Sequence, residues 1–205
     1  MYGATAITTT ALLIFFYLRD NNREPVLRLI EAFILGVVIS LQVEWVQSLI
    51  PADSILITAF IISALFEESI KFLTLMITLF RSSHFTQKID GITYAVFLSL
   101  GFATAENAVR IVTAEIGIVR AFTATPAHAL FATSMGYWLG MYKFRKEKHM
   151  VVYALAIPVI LHGIYNTLIM TDSTIGLVLF TPYIIALWVK GTYKIDALRA
   201  KVVKK

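Results

Sequence analysis

The chain has no cysteine in 205 residues. Disulfides, thiolate metal ligands and a cysteine nucleophile are therefore excluded, and the redox state of its compartment leaves no trace in the sequence. Charge is scarce as well: Asp, Glu, Lys and Arg make up 15% of the residues against 58% hydrophobic. With a mean hydropathy of +0.76 the chain is too apolar for a soluble domain of this length. No soluble domain fits between its apolar segments, and there is no internal repeat or low-complexity tract. The composition defines an integral membrane protein whose solvent is the lipid bilayer. The formal charge of +5 could suggest a nucleic-acid partner. Most basic residues, however, flank apolar runs, as in loops facing anionic lipid, and no nucleic acid is expected.

Seven apolar segments can be marked: 3–18, 26–50, 52–80, 89–112, 117–142, 151–171 and 174–189. The first lacks a basic leader region and a small-residue cleavage site and ends in Arg19-Asp20, so it reads as a retained helix rather than a signal peptide. Alternate connections are basic: Arg19, Arg23 and Arg28 in the first, Arg81 and Lys88 in the third, and Lys143, Arg145, Lys146 and Lys148 in the fifth. Lys190, Lys194, Arg199, Lys201, Lys204 and Lys205 follow the last segment; the second and sixth connections carry no basic residue, and the fourth has only Arg110 and Arg120. By the positive-inside rule the expected fold is an all-α, polytopic bundle of about seven transmembrane helices, multi-pass in the cell membrane. Its N-terminus is outside, and residues 190–205 form a basic cytoplasmic tail.

Against this background Phe66-Glu67-Glu68-Ser69-Ile70-Lys71 stands out, because it puts two carboxylates and an ammonium inside an apolar run. A charge in hydrocarbon costs several kcal/mol unless it is paired or faces a polar cavity. Glu67 and Lys71 are at i,i+4 and Glu68 and Lys71 at i,i+3, so the lysine can lie against either acid and leave the other as a general base. A purely structural buried ion pair is the bland alternative.

Helical rise puts this pair about 20 Å from either end of the third helix and His128 about 16 Å inward from the outer start of the fifth. Glu106 lies towards the outer end of the fourth helix, and His162 and Asn166 in the outer half of the sixth. Four consecutive helices thus bring polar groups to the middle and outer membrane, while the cytoplasmic halves of the fourth and sixth read as free of them.

Phe102 packs one turn from Glu106; Gly101, Ala103 and Ala105 allow close helix approach; Asn107 either orients a carboxylate or bonds a neighbouring backbone. His162 and Asn166 are one turn apart, so two donors can aim at one atom. Pro126 is expected to bend the fifth helix beside a cavity at His128. A lone buried histidine is more often an interhelical hydrogen-bonder than a catalyst, but three buried acids weaken that reading here. His84 and His149 fall in loops. Glu31 and Glu44 are assigned to interfacial water or a basic neighbour, and Gly136 and Gly140 to helix packing.

Taken together these motifs resemble the PrsW family of intramembrane proteases, which share a clan with CAAX-type prenyl proteases. The resemblance rests on Glu67-Glu68-x-x-Lys71, on Asp90-Gly91-Ile92-Thr93-Tyr94 continuing to Gly101-Phe102-Ala103-x-x-Glu106-Asn107, on Pro126-x-His128 followed by Gly136 and Gly140, and on His162-Gly163-x-x-Asn166. Leu65-Phe66 stand where relatives often have a proline before the acids, and Ala95 and Ser99 replace glycines of the fourth helix. These differences bear on packing.

The resemblance implies one transmembrane protease domain with core motifs in 66–167. It also implies hydrolysis of a peptide bond in a single-span membrane protein or membrane-anchored peptide, as in the outward-side, site-1-type cut of an anti-sigma factor. Two routes fit the residues. In the metal-free one, placed slightly ahead, Glu67 or Glu68 activates water, Lys71 and Glu106 set its protonation, His162 with Asn166 stabilises the oxyanion, and His128 polarises the water or protonates the leaving amine. In the other, His128, His162 and some of Glu67, Glu68 and Glu106 hold zinc, although no His-Glu-x-x-His spacing is present. An ion or proton-coupled transporter and a non-catalytic helix-binding protein are the competing classes.

Overall fold

The computed structural model describes residues 2–20, 22–51, 53–110, 114–171 and 173–202. The expected segment ends at Ala52 and Val112, and the tail residues Lys204 and Lys205, lie outside the described residues. The described residues form helices and no strand: α1 (Tyr2–Arg19), α2 (Val26–Ser48), a π-helical stretch Ile57–Leu65 running into α3 (Phe66–Ile77), α4 (Asp90–Arg110), a short α5 (Ala114–Phe122), α6 (Ala124–Arg145), α7 (His149–Met170) and α8 (Thr174–Val202). Four of them, α2, α4, α7 and α8, are long and apolar enough to cross a membrane by length and composition. Leu27, Ile7, Ile175 and Leu177 point outward, as lipid-facing side chains do.

The centre of the bundle is α4, buried from Asp90 to Asn107 except at Thr104. Two pairs of glycines let its neighbours approach to backbone distance. Gly101 faces the Phe33 carbonyl and Gly36 the Leu98 carbonyl across α2/α4, while Gly91 and Gly136 face each other's backbones across α4/α6. Gly140 meets the Lys88 backbone. A Cβ at any of these points would strike main chain, which fits the packing role expected of Gly136 and Gly140.

Two expectations need correction. The fifth segment is two helices, α5 and α6, broken at Thr123. Pro126 therefore lies in the first turn of α6, where its missing N–H breaks no internal helix bond, and it does not kink the element. His128 is then about 6 Å, and not about 16 Å, from the start of its helix. The stretch before Glu67 is π-helical, and a π turn rotates the side chains that follow it relative to an α-helical count. Beyond these, α8 runs on to Val202, where Ile195 and Leu198 are buried, Lys194 Nζ donates to Ser134 Oγ at 2.7 Å, and Asp196 pairs with Arg19 at 2.9 Å.

Side-chain links show which connections share an end of the bundle. Asp20 accepts a hydrogen bond from Thr93 Oγ1 at the start of α4, Arg19 meets α8, and Lys143 of α6 reaches the Phe80 carbonyl after α3. The first and third connections and the ends of α6 and α8, all basic, thus sit together. At the opposite end the last turn of α4 meets the last turns of α2 through Arg110 and Glu44.

Candidate functional site

All seven residues singled out in the sequence come together near that second end, four helices supplying them. Glu67, Glu68, Lys71, Glu106, His128 and His162 are buried, at most 4% exposed. Lys71 Nζ lies 2.8 Å from Glu68 Oε1 and 3.7 Å from Glu67 Oε2, so it is shared between the acids as helical spacing requires, with Glu68 the nearer. The same ammonium is 3.1 Å from His128 Nδ1 and stands 4.0 Å from the centre of the Phe102 ring, which places Phe102 against the cluster's cation.

Each histidine bridges to an acid of another helix. His128 Nε2 is 2.8 Å from Glu106 Oε2, and His162 Nδ1 is 3.0 Å from Glu68 Oε1 with its Nε2 3.9 Å from Glu67 Oε2. The two rings are 5.0 Å apart, edge to face, and Phe131 stacks on His162 at 5.0 Å. Asn166 is adjacent but does not aim beside His162. Its Nδ2 donates to Ser63 Oγ at 2.9 Å, and Ser63 Oγ donates to Glu67 Oε1 at 2.8 Å. Glu67 Oε2 and Glu68 Oε2 are buried with no donor within hydrogen-bond distance.

Several contributors escaped the sequence reading. Arg110 and Arg120, counted there as loop charges, both bind Glu106 Oε1, at 3.3 and 3.0 Å. Asn107 neither orients a carboxylate directly nor bonds backbone: its Oδ1 accepts from Arg120 Nε at 2.8 Å and its amide donates to Thr125 Oγ1 at 2.9 Å, holding the arginine that holds Glu106. Gln47 Nε2 donates to the Ile62 carbonyl at 2.9 Å and approaches Glu67 Oε1 at 3.4 Å. Glu44 has the basic neighbour foreseen for it, Arg110, at 2.7 Å; Glu31 has Arg28, also at 2.7 Å. Glu44, Gln47, Arg110, Ile62 and Ser63 line a cavity of about 310 Å³ at this end of the bundle, and two of its wall residues, Ser63 and Gln47, contact Glu67. The only advance signal was spacing, Arg110 four residues after Glu106 and Ser63 four before Glu67.

The other half of α4 is not free of polar groups, as the sequence had suggested. Asp90 is fully buried there beside Asp20 and Glu24.

Glu67, His128 and His162 each offer one ligand atom, and these atoms lie within 4.8 Å of one another. Two imidazoles and a carboxylate form a known catalytic zinc set, and the unpartnered Glu67 Oε2 leaves a lone pair for a metal, so the residues fit one.

Buried acids and histidines gathered from several membrane helices, with a polar-walled cavity beside them, define an enzyme that works within the bilayer. Residues 24–189 match the family described as PrsW family intramembrane metalloprotease. The chain is 38% identical over 194 residues to a protein named Protease PrsW from Oceanobacillus iheyensis, covering 90% of this chain and 89% of that one. It is 35% identical over 193 residues to Protease PrsW of Clostridioides difficile, at 84% and 81% coverage, and 34% identical over 200 residues to that of Bacillus subtilis, at 93% and 91%. No solved structure matches the chain. The chain belongs to the PrsW family and is an intramembrane peptidase.

Proposed function

We propose that this chain is a multi-pass cell-membrane endopeptidase that cuts a single-span or otherwise membrane-anchored substrate near the outer side of the bilayer, a site-1-type cut such as that in an anti-sigma factor. The observation that carries the reading is the buried cluster of Glu67, Glu68, His128 and His162 at the end of the bundle away from the basic connections, next to the cavity lined by Ser63, Gln47 and Arg110.

The cluster favours a metal, held by Glu67, His128 and His162. Zinc bound there would acidify a water and polarise the scissile carbonyl. The chain's own groups then have distinct tasks. Ser63, itself held by Asn166, fixes Glu67 Oε1 and so presents Oε2 inward. Glu106, pinned by Arg110 and Arg120, sets the His128 ring through Nε2. Lys71 neutralises Glu68, whose free Oε2 takes the proton of the attacking water and gives it to the departing amine. The metal-free route uses the same cluster with Glu67 Oε2 as base and His162 as oxyanion donor, Asn166 acting on Glu67 through Ser63. It is favoured by one observation, the Lys71 ammonium on His128 Nδ1, a nitrogen that could otherwise take a metal.

The purified chain in proteoliposomes with a fluorescent single-span substrate tests the reading. Glu67→Gln, which preserves shape and the acceptor for Ser63, is expected to lower cleavage by about 10²–10⁴-fold at an unchanged unfolding temperature. Undiminished cleavage by both Glu67→Gln and His162→Ala would remove these residues from the chemistry, and ion flux in the same vesicles would put transport in their place. Elemental analysis after chelation separates the routes, since full activity without stoichiometric zinc assigns the metal-free one.

A further inference from the structure

At the opposite end of α4 from Glu106, about 24 Å away along the helix, a second set of acids is buried. Asp20 and Glu24 come from the α1–α2 turn and Asp90 is the first residue of α4; they are 2%, 3% and 0% exposed. One carboxylate oxygen of each lies within 4.8 Å of the others. Among the described residues none of the three forms a salt bridge, although buried carboxylates ordinarily pair with a cation.

The local hydrogen bonds hold the acids in place without neutralising them. Thr93 Oγ1 donates to Asp20 Oδ2 at 3.1 Å and the Asn22 amide to Asp20 Oδ1 at 3.1 Å, while the Tyr94 hydroxyl donates to Glu24 Oε2. The amides of Thr86 and Gln87 donate to Asp90 Oδ2 at 2.7 and 2.6 Å, which fixes the carboxylate and leaves its Oδ1 buried with no partner. Burial pushes the Asp20 and Glu24 carboxyls up from their ordinary range, with Arg23 opposing this only weakly at Asp20. Three carboxylates this close, where water cannot screen them, repel one another unless a cation or a proton lies between them.

We propose that Asp20, Glu24 and Asp90 form a divalent-cation site, separate from the peptidase centre, that ties the α1–α2 turn to the start of α4. The donor set is oxygen only, with no imidazole, which selects a hard ion such as Mg²⁺, Mn²⁺ or Ca²⁺ over zinc. Ligand oxygens about 2.0–2.6 Å from a central ion stand at most about 5 Å apart, and the observed spread of 4.8 Å is within that span. The orphaned Asp90 Oδ1 is the atom that most needs the ion, because no N–H or hydroxyl donor reaches it. An ion here would set the position of the helix whose far end carries Glu106.

The test is Mn²⁺ binding to the full-length protein, followed by electron paramagnetic resonance, in a Glu67→Gln/His162→Ala background that removes the ligand set of the peptidase centre. We expect one saturable Mn²⁺ per chain, displaced by Mg²⁺ or Ca²⁺, and a rise in unfolding temperature of about 5–10 °C at roughly 100 times the dissociation constant. Asp90→Asn should weaken binding at least about tenfold; should that variant fail to fold, Asp20→Asn gives the same reading from the turn. Absence of saturable binding up to about 100 times a micromolar dissociation constant, or binding undiminished in a folded Asp90→Asn or Asp20→Asn variant, overturns the proposal. In that event a proton shared between the carboxyls is what relieves their repulsion.

Discussion

Glu67 is held by groups that all use the same oxygen. Ser63 and Gln47 donate to Oε1, Arg110 approaches it at 4.0 Å, and Oε2 is left to face His162 and Lys71. A carboxylate steered in this way keeps one lone-pair face for chemistry and the other for orientation. Ser63 is therefore a positioning residue. Ser63→Ala leaves the Asn166 amide and Glu67 Oε1 each without their main partner, so the carboxylate can rotate. We expect kcat to fall about tenfold, of the order of one lost hydrogen bond to a charged group, while KM and the unfolding temperature change little. Ser63→Thr, which restores the hydroxyl, should recover most of the rate. Equal loss in both variants would show that bulk at this position matters and the hydrogen bond does not.

The charged motif residues were legible because an acid, lysine or histidine in an apolar run carries its own cost and hence its own signal. Gln47 carried none and Ser63 only its spacing four residues before Glu67, since a hydroxyl or amide in a membrane helix bonds its own backbone as readily as a distant acid. Arg110 and Arg120 were hidden for another reason. At a helix end an arginine reads as topology, and only the fold shows that both reach inward to Glu106.

At the scale of elements the site depends on where helices begin and how closely they pack. The break at Thr123 starts α6 just before Pro126, which brings His128 to the level of Glu106 near the end of α4. Hydropathy runs through that break without interruption, because residues on both sides are apolar, so a continuous helix was the natural expectation. The π-helical Ile57–Leu65 is equally silent, as no residue type marks it. The glycine contacts were more legible, being spaced four apart in Gly136 and Gly140. Gly136 faces the backbone of Gly91 and Ile92, where there is no side chain to swing aside. Gly136→Val must therefore separate α4 from α6, moving Glu106 away from His128. The expected result is destabilisation by about 1–3 kcal/mol or more, read as a lower unfolding temperature in detergent, together with lost cleavage. Gly3→Val, at a glycine with nothing within 4 Å, should leave both unchanged.

Across the whole molecule charge is divided between the two ends of the bundle. The basic connections meet at one end through Arg19–Asp196 and Lys143 on the Phe80 carbonyl. At the other end the basic residues from the last turn of α4 to the start of α6 are Arg110 and Arg120, paired with Glu44 and Glu106. Together the alternate connections carry more basic residues than this one, and that bias orients the chain. In the proposed orientation the peptidase centre faces the outside, and the Asp20, Glu24 and Asp90 cluster the cytoplasm. The absence of cysteine makes this directly measurable, since any introduced thiol is unique. Ser83→Cys, in the connection after α3, should be labelled by a membrane-impermeant maleimide only in inverted vesicles, and Ser173→Cys, between α7 and α8, only in intact cells. Labelling of both from one side would mean an even number of crossings between them, and the reverse pattern would turn the peptidase centre towards the cytoplasm.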